Sequence, residues 1–255
     1  MTYWSYYVAW TLFAYVLRQP WLLVGVGVFL LLRRIIPDPT AVFRAFSRSG
    51  SLRSQVDVNP ANVTARRDLA QIYLDVRRPR AALKLVQQAL VRTPNEPEML
   101  YLAGLAQHRV GKHEDALPNL VRAVELDPRV RFGLPYLVAG DALFALRRYE
   151  EAADAFERYS ESNTSDVSAY VRLARTYARL GKTDEARQAI DEAESTWRVL
   201  PSRMRQRTFL KGYLGPRWAR VTVLKEPGAI LGAVALAFAF AGVCIWLYPT
   251  VAQLW

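Results

Sequence analysis

Residues 101–124 read YLAGLAQHRVGKHEDALPNLVRAV, and this stretch decides the fold. Two apolar-periodic halves are separated by Gly111, with Gly104 in the first half and Ala116 and Ala123 in the second. Two antiparallel helices touch closely only where side chains are small, so such residues mark a helix crossing. Larger Leu, Val, Tyr and Phe then fill the space between turns. The pattern returns upstream as DLAQIYLDVRRPRAALKLVQQAL (68–90). Downstream it returns as YLVAGDALFALRRYEEAADAFERY (136–159) and YVRLARTYARLGKTDEARQAIDEA (170–193). Pro60, Pro94 and Pro128 are 34 apart; Ala82 and Ala116 are 34 apart, Ala152 follows at 36 and Ala186 at 34. One such unit cannot bury its own apolar face, so neighbours must stack.

The small first-helix residues are Ala70, Gly104, Gly140 and Ala174. Gly111 and Gly181 occupy two of the turns, and Arg77 and Arg147 the others. Ala89, Ala123 and Ala193 recur late in the second helices, with Tyr159 departing, and Tyr73 and Tyr177 fill an aromatic position. These marks resemble the tetratricopeptide repeat (TPR) family over about residues 63–197. The resemblance implies an all-α, TPR-type right-handed α-solenoid of about four helix pairs, in units 63–96, 97–132, 133–166 and 167–197. It also implies a concave groove lined by first helices. The family's groove positions fall on Arg67, Gln71, Tyr101, Leu105, His108, Leu137, Asp141, Phe144, Val171, Arg175 and Arg179. This face is basic at both ends and aromatic or apolar between, suited to an extended peptide or a helix with acidic flanks. Leu102, Leu134 and Val138 stand where the chaperone-tail-binding subtype needs Lys and Asn, so that subtype is excluded. Residues 43–56 are expected as a capping helix and 202–214 as a basic capping or interfacial helix, ended by Gly215-Pro216.

The formal net charge is +11, yet residues 54–197 hold 20 Lys+Arg against 21 Asp+Glu. The surplus lies in two flanks. One holds Arg33, Arg34, Arg44, Arg48 and Arg53 against Asp38; the other holds Arg198, Arg203, Arg205, Arg207, Lys211, Arg217, Arg220 and Lys225. Each flank adjoins an apolar stretch. That placement predicts anionic lipid headgroups beside Arg33, Arg34, Arg203, Arg205, Arg207, Lys211, Arg217 and Arg220, and no nucleic-acid partner.

Residues 228–248 form 21 positions without a charge, enough at 1.5 Å per residue to cross roughly 30 Å of hydrocarbon. A C-terminal transmembrane helix is expected there, with residues 249–255 as a short tail. Gly228, Ala229, Gly232, Ala233, Ala237 and Ala241 form a small-residue stripe. It either packs closely on another membrane helix or reflects ordinary alanine content. Residues 1–36 are a second membrane segment. They fit an interfacial helix followed by a transmembrane helix from about Pro20, a longer tilted helix kinked there, or a hairpin turning at 18–20. Residues 37–62 and 198–227 are then basic juxtamembrane segments. The arginines place the repeats in the cytoplasm and both termini across the membrane, and arginine richness with short loops points to a bacterial inner membrane.

No catalytic constellation is present. His108 and His113 are five apart, off the spacing of a helical metal pair, and read as surface histidines. Cys244 lies in an apolar run, and no phosphate loop occurs. The expected class is a non-catalytic scaffold or assembly factor for a membrane complex, without cofactor or small-molecule substrate. The alternative is a permanent accessory subunit of such a complex. Its partners are other proteins, including integral membrane proteins.

Overall fold

A computed structural model describes residues 10–11, 39–59, 61–208 and 210–225. The chain divides into a unit of residues 1–39 with 230–255 and a unit of residues 40–229. In the first, Trp10 and Thr11 are helical. The second is a run of helices, with no strand among the described residues. The expected membrane segments 1–36 and 228–248 lie outside the described residues, apart from Trp10 and Thr11. Among those described, no helix is long and apolar enough to cross a membrane.

The leading helix α1 spans Pro39–Val58. Its Leu52 and Val56 are buried against Ala65 and Leu69 of α2 (Val63–Asp75). Four pairs follow: α2 with α3 (Pro79–Leu90), α4 (Pro97–Val110) with α5 (His113–Leu126), α6 (Leu134–Ala145) with α7 (Tyr149–Ser162), and α8 (Val167–Arg179) with α9 (Thr183–Val199). Local chemistry starts several of these helices. Asn62 caps α2 by accepting from the Ala65 amide at 3.0 Å, and Asp166 caps α8 by accepting from the Ser168 amide at 2.9 Å. Pro79 and Pro97 occupy first helical positions, where a missing N–H costs nothing.

The pairs cross where the small residues stand. Ala82, Ala116, Ala152 and Ala186 are all fully buried. A Cβ on Gly104 would come within 2.5 Å of Leu120, and one on Gly140 within 2.5 Å of the Phe156 ring. All four turns use left-handed backbone: φ is +91° at Gly111 and +78° at Gly181, but also +58° at Arg77 and +63° at Arg147. At the first two junctions, first helices of neighbouring pairs pack on one another more closely than second helices do. The first helices therefore form the inner, concave layer.

The 36-residue step between Ala116 and Ala152 has a structural counterpart. A 3-10 turn, Val130–Gly133, joins α5 to α6, with Arg131 (φ +50°) and Phe132 (φ +56°) both left-handed. Asn163 donates to the Phe132 carbonyl at 2.7 Å and pins the turn.

Beyond α9 the chain folds back on the last pair as α10 (Ser202–Arg207), a π-helical turn Leu210–Leu214, α11 (Gly215–Ala219) and a second π turn Arg220–Leu224. Gly215-Pro216 was expected to end a helix; it begins one, because proline's fixed φ suits a first turn. Gly212 abuts the Trp197 indole so closely that a Cβ there has no room. Ala219, Val223 and Leu224 join the core of the last two pairs.

Candidate functional site

The inner face splits into a filled half and an open half. In the N-terminal half, Arg131 reaches from the 3-10 turn across the first helices. Its guanidinium lies 3.4 Å from Glu98, donates to Gln71 at 3.0 Å and sits 5.8 Å from the centre of the Tyr101 ring. Arg67 holds the same Glu98 carboxylate at 2.7 Å, and Gln71 donates to Asp75 at 2.9 Å. Glu98 thus serves two arginines, and the network ties α2, α4 and the turn together. Arg67 is held above its usual range by Glu98 and Asp68, against an opposing effect of burial that is individually the largest. Arg131 and Glu98 were not expected from the sequence; the extra two residues before α6 were the available signal.

The C-terminal half is more accessible. Arg175 and Arg179 are exposed on α8, and Phe144 is half-buried, edge-on to Tyr149 with ring centres 5.3 Å apart. Asp141 pairs with Arg172 at 3.0 Å. Burial raises its carboxyl and Arg172 partly reverses this. His108 and His113 form a contact rather than two isolated surface groups, with Nδ1 atoms 3.1 Å apart. Burial first, and then the neighbouring His113, Arg109 and Arg172, lower His108 to about 4. His108 is therefore neutral near neutral pH. No cluster of three potential metal ligands occurs among the described residues.

Four expected groove positions need correction as open surface. Tyr101, Leu105, Leu137 and Val171 are each buried. Arg131 covers Tyr101, Leu105 and Leu137 pack into the cores shared by neighbouring units, and the C-terminal fold-back lies over Val171 through Gly215. The expected face is thereby reduced to Arg67 and Gln71 inside the network and His108, Asp141, Phe144, Arg175 and Arg179 beyond it.

The basic C-terminal flank also differs from a row of free lipid contacts. Arg220 pairs with Asp191 and, at 2.9 Å, with Glu194. This ion pair fastens the fold-back to α9, so Arg220 is a structural cation. Arg205 lies over Trp197 at 5.9 Å, and exposed Arg217 over Tyr213 at 3.7 Å. The side chains of Arg203, Arg207 and Lys211 lie outside the description, as do Arg33, Arg34 and the stripe Gly228, Ala229, Gly232, Ala233, Ala237 and Ala241.

Residues 56–130 and 137–198 match the tetratricopeptide repeat family model. Small glutamine-rich tetratricopeptide repeat-containing protein 2 of Mycosarcoma maydis is 28% identical over 106 residues, which is 42% of this chain and 30% of that protein. The chain thus matches less than a third of that relative's length. Among solved structures, MamA superposes with a TM-score of 0.54 at 21% identity, covering 58% of this chain and 85% of MamA. YrrB, described as a TPR protein with an unusual peptide-binding site, gives 0.51 at 19% identity, covering 66% of this chain and 84% of YrrB. At such identities the likeness is one of fold. With a repeat model matching more than half of its residues, the chain belongs to the tetratricopeptide repeat family.

Proposed function

We propose that this protein is a membrane-anchored, non-catalytic TPR scaffold that recruits a soluble protein to a membrane complex. The observation that carries the reading is the charge partition: near-neutral repeats between two arginine-rich flanks, each beside an apolar stretch. Residues 228–248, and residues 1–36 in one of the three arrangements above, hold the chain in the bilayer. Arg33, Arg34, Arg203, Arg205, Arg207, Lys211 and Arg217 rest near anionic headgroups, and the repeats face the cytoplasm of a bacterial cell. The recruiting surface is the open half of the inner face. There, half-buried Phe144 lies on the same inner layer as the exposed cations Arg175 and Arg179, a combination suited to an acidic-flanked segment.

The test is a mild-detergent pull-down from membranes using the full chain and its Arg175→Glu/Arg179→Glu variant. Loss of a soluble partner from the variant supports recruitment through this face. The small-residue stripe favours a second reading, a permanent subunit held by helix packing in lipid. In that case membrane proteins co-purify in fixed ratio with both forms. Extraction of the full chain from membranes by carbonate would refute the anchoring itself.

A further inference from the structure

A trough of about 1060 Å³ opens on the outer layer between α5 and α7. Its floor is the outer side of α6, through Tyr136, Ala139 and Leu143. Leu117, Val121 and Val124 of α5 form one wall, and Ala155 of α7 lies in the other. Val121 is 53% exposed, which for a valine beside other apolar groups marks an uncovered surface. Pro128 and Pro135, which flank the extra turn Val130–Gly133, also line the trough. The two-residue insertion and the opening therefore fall at the same junction.

The rim is acidic. Glu114 and Glu125 stand on α5, and Glu150, Glu151 and Asp154 on α7. The two basic residues of the lining are already engaged: Arg148 donates to Glu151 at 2.7 and 2.5 Å, and Arg158 donates to Asp154 at 2.9 Å. Glu125 pairs with Arg122 at 3.2 Å. Glu150 makes no ion pair among the described residues, and Glu114 has only a longer-range attraction to Arg148. Both sit in the first turns of their helices, where a carboxylate favours the helix dipole. That accounts for their position, but not for the apolar trough running away from them.

We infer that this outer trough docks an amphipathic helix of a partner protein, with its apolar side chains in the trough and lysines or arginines at its C-terminal end facing Glu114 and Glu150. Charge complementarity selects the partner chemistry. A helix lying antiparallel to α5 and α7 brings its last turn to their first turns, and the last turn is where cations are favoured. The trough lies at the upper end of ordinary binding-cleft sizes of about 300–1,000 Å³ and suits apolar anchors spaced along one helix face. The site is separate from the inner face and does not depend on the membrane reading.

The test uses the full chain in detergent and a fluorescent helical peptide with leucines at i, i+3, i+4 and i+7 and three arginines in its last turn. A matched peptide ends in glutamates. Anisotropy is expected to show binding of the basic peptide and at least about tenfold weaker binding of the acidic one. Val121→Lys, an exposed change, should weaken the basic peptide by about tenfold or more. Glu114→Lys/Glu150→Lys should do the same at low salt, with a smaller effect at high salt. Thermal unfolding of each variant checks that the repeats remain folded. The inference is overturned if the basic peptide does not bind, if both peptides bind alike, or if the trough variants leave binding unchanged. Loss of binding on Arg175→Glu instead would move the site to the inner face. A change in oligomeric state on Val121→Lys, read by light scattering without peptide, would assign the trough to a second copy of the chain and overturn the inference too.

Discussion

Alanine at Gly140 and alanine at Gly50 make the same chemical change in two helix interiors, and the surroundings give them opposite signs. In both, glycine is a poor helix former, and alanine gains about 0.8–1 kcal/mol of propensity. At Gly50 in α1 a Cβ would meet nothing within 4 Å, so the gain stands. At Gly140 the Cβ would lie 2.5, 2.7 and 2.8 Å from three carbons of the Phe156 ring. Carbon atoms rest at about 3.5–4.0 Å, so the ring must retreat by roughly 1 Å. Phe156 is only 1% exposed and has no open side to enter. Such overpacking costs about 1–3 kcal/mol, which set against the propensity gain leaves a net loss of up to about 2 kcal/mol. At about 2–4 °C per kcal/mol for a domain of this size, Gly140→Ala should lower Tm by up to about 8 °C, and Gly50→Ala should raise it by about 2–4 °C. Differential scanning calorimetry of the full chain reads both. Phe156→Leu supplies a cycle: its cost and that of Gly140→Ala should add to more than the cost of the double variant, because the smaller side chain makes room. A Gly140→Ala protein as stable as Gly50→Ala, or a double variant showing simple additivity, would refute the packing explanation.

Glycine at Arg147 (φ +63°) should raise Tm, because left-handed backbone costs an ordinary residue about 1–2 kcal/mol, only partly offset by about 0.5–1 kcal/mol of extra unfolded-state entropy. Arg131→Ala removes a hydrogen bond worth about 0.5–1.5 kcal/mol and a ring contact worth about 0.5–1. Glu98 keeps Arg67, so denaturant unfolding should show a loss of about 1–2.5 kcal/mol, with amide exchange rising in residues 130–133. Arg220→Ala leaves Glu194, whose side chain is only 16% exposed, with Arg198 at 3.7 Å, and should loosen the fold-back; limited proteolysis within residues 202–225 should accelerate while α2 to α7 stay protected. Stability should fall as pH drops from about 6.5 to about 4, since the unfolded chain takes up the His108 proton first and the folded chain resists it down to about 4. His108→Gln should flatten that slope in a urea titration series, and proton NMR of the His108 ring should place its midpoint near 4.

The paired helices were readable because packing constraints act locally: Ala82, Ala116, Ala152 and Ala186 each mark a crossing within their own unit. The turns were readable as turns, though not as strained ones, since nothing in a lone arginine discloses the left-handed φ at Arg77 and Arg147. The inner face was less legible. Its state depends on Arg131 meeting Gln71, 60 residues away, and Glu98, 33 residues away, and repeat register carries no such long-range pairing. Val171 reads as a surface position within its own unit, yet it is buried in the core of the last two pairs and met by Gly215 of a segment beyond the repeats. Arg220 reads as one more basic flank residue until Asp191 and Glu194 are placed beside it. The trough on the outer layer is a property of the spacing between units, visible in sequence only as the step of 36.

Two neighbouring residues of α6 belong to different cores: Val138 to the cluster of the first two pairs, and Leu137 to that of the last two. The inserted turn precedes this division and interrupts the regular advance of the stack. In a linear array whose cohesion passes only between neighbours, the weakest junction sets where cooperativity breaks. Here the apolar core itself divides at the midpoint, between Leu137 and Val138. A ligand bridging α5, α6 and α7 would act as a splint across that fault line, coupling occupancy of the outer surface to whether the repeats melt as one body or as two.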